Sequence, residues 1–244
     1  MTDALWRALH EAADAVASAF SSHQGRGYSG LRDTQYHLDV AADAAALKVL
    51  HGAGLRVVSE ESGVTGSGEY TVVIDPIDGS TNCDRGLPFF NTSLAVLREG
   101  ELVMGLVVNQ ASGVRYAAER GAGATRDGQR IQASGQTELS KAIVAFSGFP
   151  TQKLAWGQFR AFGAAALECC YVADGSLDAF FVGSVSHLNP WDYLAGLLIA
   201  NEAGAVASEQ QGRPLVVESC HDGRQPLLAS SEALRVSIAS HGLL

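Results

Sequence analysis

The 244-residue chain predicts a layered α/β fold in two lobes, residues 1–140 and 141–244. Three features carry that expectation. An apolar run of strand length, Tyr70-Thr71-Val72-Val73-Ile74, leads directly into paired aspartates. Strand-like segments separated by Gly-containing turns then fill residues 92–120. From residue 142 onward, strand-like and helix-like segments alternate.

Taken in order, Thr2 is placed to cap a first helix to about residue 20, with Leu5, Leu9, Ala12, Ala13 and Val16 on one face. Residues 21–30 have loop composition. A second helix spans 38–51 and stops at Gly52 or Gly54. Residues 55–59 read as a strand that ends at Glu60-Glu61. After the run at 70–74, strands at 92–98, 101–109 and 114–120 form an antiparallel meander, turning at Glu99-Gly100 and Ala111-Ser112-Gly113. A further turn, Arg126-Asp127-Gly128-Gln129, precedes Ile131. The second lobe holds a strand at 142–146, a helix at 163–173 and a strand at 177–182. Pro190 introduces a helix over 191–203 that Gly204 closes. A strand at 226–229 and a helix at 231–240 complete the reading.

The formal net charge is −9 and there is no basic run, which argues against nucleic acid or an anionic membrane as partner. No stretch is apolar and long enough to span a bilayer. The N-terminal residues lack the basic-then-apolar order of a signal peptide, so a cytoplasmic protein is expected. Cys83, Cys169, Cys170 and Cys220 have no zinc-type spacing, and the pair Cys169-Cys170 lies in an apolar run suited to buried thiols.

The most informative segment is Asp75-Pro76-Ile77-Asp78-Gly79-Ser80-Thr81-Asn82. Two carboxylates at the mouth of a buried strand are unfavourable to desolvate unless positive charge lies beside them, and a divalent cation supplies it. Gly79, Ser80 and Thr81 offer backbone N–H groups at a helix start, where a phosphate sits well. Other acidic residues also fall at telling places: Asp43 in the second helix, Glu60 and Glu61 after a strand, and Asp192 behind Trp191 at a helix start. Hard cations take such oxygens, and magnesium retains waters and joins a substrate phosphate. Each motif alone has a bland reading: Asp-Gly as a turn, Trp-Asp as a helix-dipole partner, Glu-Glu as a solvated strand end. Together they point to metal-assisted phosphate chemistry.

In this order the motifs resemble the inositol monophosphatase family. Ser59-Glu60-Glu61-Ser62 is similar to its glutamate pair, and residues 75–82 to its Asp-Pro-Ile-Asp-Gly-(Ser/Thr)-Thr-Asn signature. Pro190-Trp191-Asp192-Tyr193-Leu194-Ala195-Gly196, followed by Ala203-Gly204, is similar to its Trp-Asp signature. The resemblance is colinear from about Leu38 to Ala207. It implies an αβαβα sugar-phosphatase fold, a homodimer, and a magnesium-dependent phosphomonoesterase acting on a small phosphate ester with two or three ions per site.

Carried over by residue, the resemblance implies that Glu60, Asp75 and the Ile77 carbonyl hold a first ion, which supplies the attacking water. Asp75, Asp78 and Asp192 hold a second, and Glu61 supports a third through water. The segment Gly79, Ser80 and Thr81 binds phosphate, Ser80 and Asp43 orient and deprotonate the water, and Asp78, Ala165 and Asp192 border the substrate.

The sequence also departs from the family. Ala41 and Ala164 stand where hydroxyl residues are usual. The inositol-selective glutamate before the Trp-Asp motif becomes valine, Val182 or Val185 according to the alignment, so inositol specificity is weakened. Residues 143–160 are too short for the usual pocket helix, which suggests a more open pocket and an altered dimer. His187 has a substrate reading beside a solvated-loop one, and Arg32 a phosphate reading beside a surface one. A 3'-phosphoadenosine 5'-phosphate phosphatase is disfavoured, because those members usually carry Asp-Gly-Thr-Lys-Glu-Phe where this chain has Asp78-Gly79-Ser80-Thr81-Asn82. Fructose-bisphosphate and histidinol-phosphate phosphatases, and a catalytically weak regulatory member, stay open.

Overall fold

Two β-sheets built from separate stretches carry the fold in the computed structural model, which describes residues 2–22, 27–31, 35–151, 155–218 and 222–240. The first half runs α1 (Thr2–Ser22), α2 (His37–Gly52), β1 (Arg56–Ser59), β2 (Gly63–Thr65), β3 (Tyr70–Asp78), α3 (Ser80–Arg85), β4 (Asn91–Arg98), β5 (Glu101–Asn109), β6 (Arg115–Glu119), β7 (Gly123–Arg126) and β8 (Gln129–Arg130). Its strands form one sheet in the order β2-β1-β3-β4-β5-β6-β7-β8. Neighbours from β3 to β8 are antiparallel, as the meander requires, whereas β1 and β3 run parallel.

A 3-10 turn (Leu139–Lys141) leads into β9 (Ile143–Ser147), β10 (Gln158–Arg160), α4 (Ala165–Ala173), β11 (Ala179–Val182), α5 (Pro190–Glu202), β12 (Val206–Glu209), β13 (Pro226–Ala229) and α6 (Glu232–Ser240). These strands form a second sheet in the order β10-β9-β11-β13-β12.

The strands read as unbroken apolar runs because both faces of the first sheet are covered. Successive side chains in a strand point to opposite faces. Val72, Ile74, Leu94 and Leu106 therefore pack with Leu9 and Val16 of α1 and Leu50 of α2. Val73, Ala95, Leu97 and Val107 instead pack with Leu167 of α4 and Leu194 and Leu198 of α5. The same cluster takes in Phe180 and Leu228 of the second sheet, whose other face meets Leu234 and Ile238 of α6. The layers are thus helices, sheet, helices, sheet, helix, the αβαβα order expected. Sandwiched between two sheets, α5 is buried almost all round from Pro190 to Ala200. Its Gly196 is needed for close approach, since a Cβ there would lie 2.6 Å from the Cys169 Cβ and 2.8 Å from the Ala166 carbonyl oxygen of α4.

Five short strands, β2, β7, β8, β10 and β12, do not show in the sequence pattern. They have two to four residues, and β2, β8, β10 and β12 occupy sheet edges, where one-sided pairing imposes little apolar patterning. The shortened segment 143–160 passes from β9 to the parallel β10, with no helix among its described residues. Strand β3 runs four residues beyond Ile74, through the aspartate motif to Asp78. Pro76 has no N–H for the ladder, and the register shifts between Asp75 and Asp78. The Thr92 hydroxyl donates to the Pro76 carbonyl at 2.8 Å, and Ile77 N–H donates to Asp75 Oδ1 at 3.0 Å, so the irregular stretch keeps its polar groups paired.

Candidate active site

Three carboxylates meet because three elements end at one place. Parallel pairing sets Ser59 of β1 opposite Ile74 of β3, and Glu60 N–H continues the ladder to the Ile74 carbonyl at 3.2 Å. Glu60 is thereby brought beside Asp75. Across the other edge of β3, Asp75 faces Ser93 of β4, and the Ser93 hydroxyl donates to the Trp191 carbonyl at 2.9 Å. That bond ties the first turn of α5 to the Asp75 ladder position. Asp192 then reaches back, accepting Asn189 N–H on Oδ2 at 2.7 Å as a helix cap. One ligand oxygen each from Glu60, Asp75 and Asp192 lies within 4.8 Å of the others.

Burial, followed by Glu60, Asp78 and Asp192, holds the Asp75 carboxyl well above the usual carboxylate range. Burial, Glu60 and Asp78 do the same to Asp192. Such mutual repulsion is relieved by a divalent cation, and an all-oxygen donor set suits a hard one such as magnesium.

Asp78 is outside that group of three. Its Oδ2 accepts Asn91 Nδ2 and Ala166 N–H, each at 2.8 Å, and its Oδ1 accepts Ala165 N–H at 3.2 Å. Burial still pushes it up to about 6. The Ala165 amide is therefore engaged with Asp78. Gly79 adopts φ 85°, a left-handed conformation, and turns the chain into α3 with Ser80 as its first residue. The Thr81 hydroxyl lies 3.1 Å from Tyr36 OH. Asp43 is buried in α2 and accepts the Ser59 hydroxyl at 2.5 Å. Ser59 Oγ also accepts Glu61 N–H at 3.1 Å, and the Glu61 carboxylate accepts Gln35 Nε2. Ile77 is buried beside Asp75. His187 is exposed, its ring packed against Gly223. Arg32 and Cys220 lie outside the described residues.

Several supporting residues escaped the sequence reading: Ser59, Asn91, Ser93 and Glu168. Asn91 and Ser93 belong to the polar triplet Asn91-Thr92-Ser93 that opens β4, and both are fully buried. Glu168 is the lone charge in Ala165-Ala166-Leu167-Glu168-Cys169-Cys170. A charge inside an apolar run is the signal that marked Glu168.

The inositol monophosphatase family model matches residues 1–240. A fructose-1,6-bisphosphatase/inositol-1-monophosphatase from Archaeoglobus fulgidus is 38% identical over 181 residues, 72% of this chain and 71% of that protein. The Nus factor SuhB of Escherichia coli K12 is 31% identical over 228 residues, 84% of each. The crystal structure of the extragenic suppressor protein suhB from Bartonella henselae superposes with a TM-score of 0.83 at 26% identity, covering 97% of both chains.

Proposed function

The chain belongs to the inositol monophosphatase family, and from that premise we propose that it is a magnesium-dependent phosphomonoesterase of small polyol and sugar phosphates, inositol monophosphate among them. The observation that carries the reading is the convergence of Glu60, Asp75 and Asp192 from β1, β3 and α5. Glu60, Asp75 and the Ile77 carbonyl would hold one ion, Asp75, Asp78 and Asp192 a second, and Glu61 a third through water. When bound, the ions supply charge neutralisation for the phosphate and an acidified water.

The rest falls to the chain's own groups. Backbone N–H groups of Gly79, Ser80 and Thr81 receive the phosphate. The Ser80 hydroxyl orients the attacking water, and Asp43, fixed by the Ser59 hydroxyl, takes its proton. Positioning of this kind supplies much of the rate when reacting atoms are held in line. Asp78 and Asp192 face the hydroxyls of the leaving group, alongside Ala165.

Val182 is fully buried in β11, whereas Val185 is 80% exposed on the loop before α5. Either leaves no carboxylate at the position where inositol-selective members have their glutamate, which supports a broad substrate range. The relatives named as fructose-1,6-bisphosphatase/inositol-1-monophosphatase favour the same breadth. Relatives named Nus factor SuhB favour a second reading, a regulatory protein with weak catalysis. A panel of phosphate esters, assayed for phosphate release with magnesium and with chelator, tests both. Inositol 1-phosphate should not exceed the best sugar phosphate in kcat/KM by more than about tenfold, ~1.4 kcal/mol. Release from no ester would refute the enzymatic reading, and a thousandfold preference for inositol phosphate would refute the substrate reading.

A further inference from the structure

We propose that Glu168 is a positioning residue for the active site, its carboxyl holding residues 162–166 in the shape through which they grip Asp78. The inference rests on the metal-dependent site proposed above. Glu168 lies in α4, whose residues Ala165–Cys170 are all buried, and is itself 1% exposed. It has no cationic partner among the described residues; its Oε1 accepts Phe162 N–H at 3.0 Å. A buried carboxyl without a counter-charge is unfavourable, so its backbone contacts, to Phe162 and Ala164, identify what it does there.

The Phe162 peptide is pinned from both sides. Its N–H goes to Glu168, and its carbonyl accepts Asn82 Nδ2, the last residue of the aspartate motif, at 2.7 Å. The Phe162 ring stacks on Phe89 with centroids 4.5 Å apart. From this anchor the chain passes directly over the phosphate-binding turn. A Cβ built on Gly79 would meet the Ala164 Cβ at 3.0 Å and the Gly163 carbonyl at 3.1 Å. The arch then delivers the N–H groups of Ala165 and Ala166 to the two oxygens of Asp78. Glu168 thus sits one helical turn behind the amides that orient a metal-site carboxylate. Groups in such a supporting position tune metal affinity without touching the ion. Burial pushes the Glu168 carboxyl up to about 8, so it is a neutral acid at neutral pH and Gln reproduces its acceptor.

The test uses the full chain with three variants. E168Q keeps the acceptor, E168D withdraws it by one methylene, and E168L removes it at similar volume. Mn2+ affinity is read by isothermal titration calorimetry, kcat and KM with a sugar phosphate, and folding by thermal melts. E168Q should stay within about twofold of wild type, while E168D and E168L lose about tenfold in Mn2+ affinity and in kcat. Should E168L fail to fold, E168D against E168Q makes the same comparison. A lowered melting temperature with unchanged Mn2+ affinity in E168D or E168L would overturn the proposal, as would E168Q behaving like E168D. Wild-type protein that neither binds Mn2+ nor releases phosphate would instead refute the proposed function itself, and this inference with it.

Discussion

Substituting Asp75 by Asn should move stability in opposite directions with and without metal. Asp75 shares the 4.8 Å carboxylate group with Glu60 and Asp192. At an effective dielectric constant of about 20, each fully ionised pair at that separation repels by ~3.5 kcal/mol. Proton uptake relieves part of this in the metal-free protein, so neutralising Asp75 should stabilise that form by about 1–3 kcal/mol. Asn keeps an Oδ1 to accept Ile77 N–H, so the local turn survives. With an unfolding entropy of ~0.5 kcal/mol/K for a chain of this length, the metal-free melting temperature should rise by about 2–6 °C. The sign can be checked against pH. A carboxyl raised in the folded state favours folding below its unfolded pKa and loses that contribution as pH rises through the folded value. The advantage of D75N should therefore be small at pH 4 and grow toward pH 8. Magnesium at a hundred times its dissociation constant should stabilise wild type by ~2.7 kcal/mol, near 5 °C, and the variant far less. Turnover should fall by about a thousandfold or more, ~4 kcal/mol in activation free energy. Differential scanning fluorimetry with EDTA and with magnesium, paired with phosphate release, reads every arm. A metal-free D75N that melts below wild type, or one that keeps the full magnesium shift, would refute the shared-site reasoning.

Other substitutions probe the shell around this group. G79A forces a side chain onto φ 85° and against Ala164, Gly163 and Phe89, so chemical denaturation should show a loss of about 2–3 kcal/mol along with lost activity. N91L removes a donor that holds Asp78 down, and magnesium affinity measured by calorimetry should weaken by about tenfold. S80A should retain more turnover than D75N, because it removes a hydroxyl and leaves every carboxylate; the reverse ranking with metal binding intact would mean the water is activated elsewhere. In metal-free buffer, E168Q should flatten the fall in wild-type stability between about pH 4.5 and pH 8, a contribution of at most about 5 kcal/mol seen in urea titrations across that range.

The sequence by itself determined what is local in this protein. Continuous apolar runs at residues 72–74, 94–97 and 106–108 are required of strands covered on both faces, and the Asp75–Asn82 and Trp191-Asp192 motifs name the donor chemistry. Helix ends followed from Pro190 and Gly204, which restrict or free the backbone whatever surrounds them. Only the tertiary structure decided which carboxylates share a point. Glu60 meets Asp75 through the parallel register of β1 and β3, and Asp192 joins them because Ser93, a neighbour of Asp75 in the ladder, bonds the start of α5. Asp78, three residues from Asp75, has both oxygens bonded to the amides of α4. The bond from Glu168 to Phe162 likewise acts on Asp78, 90 residues away in the chain. Register and layer contacts join residues far apart in the chain, and no local periodicity encodes which of them will meet.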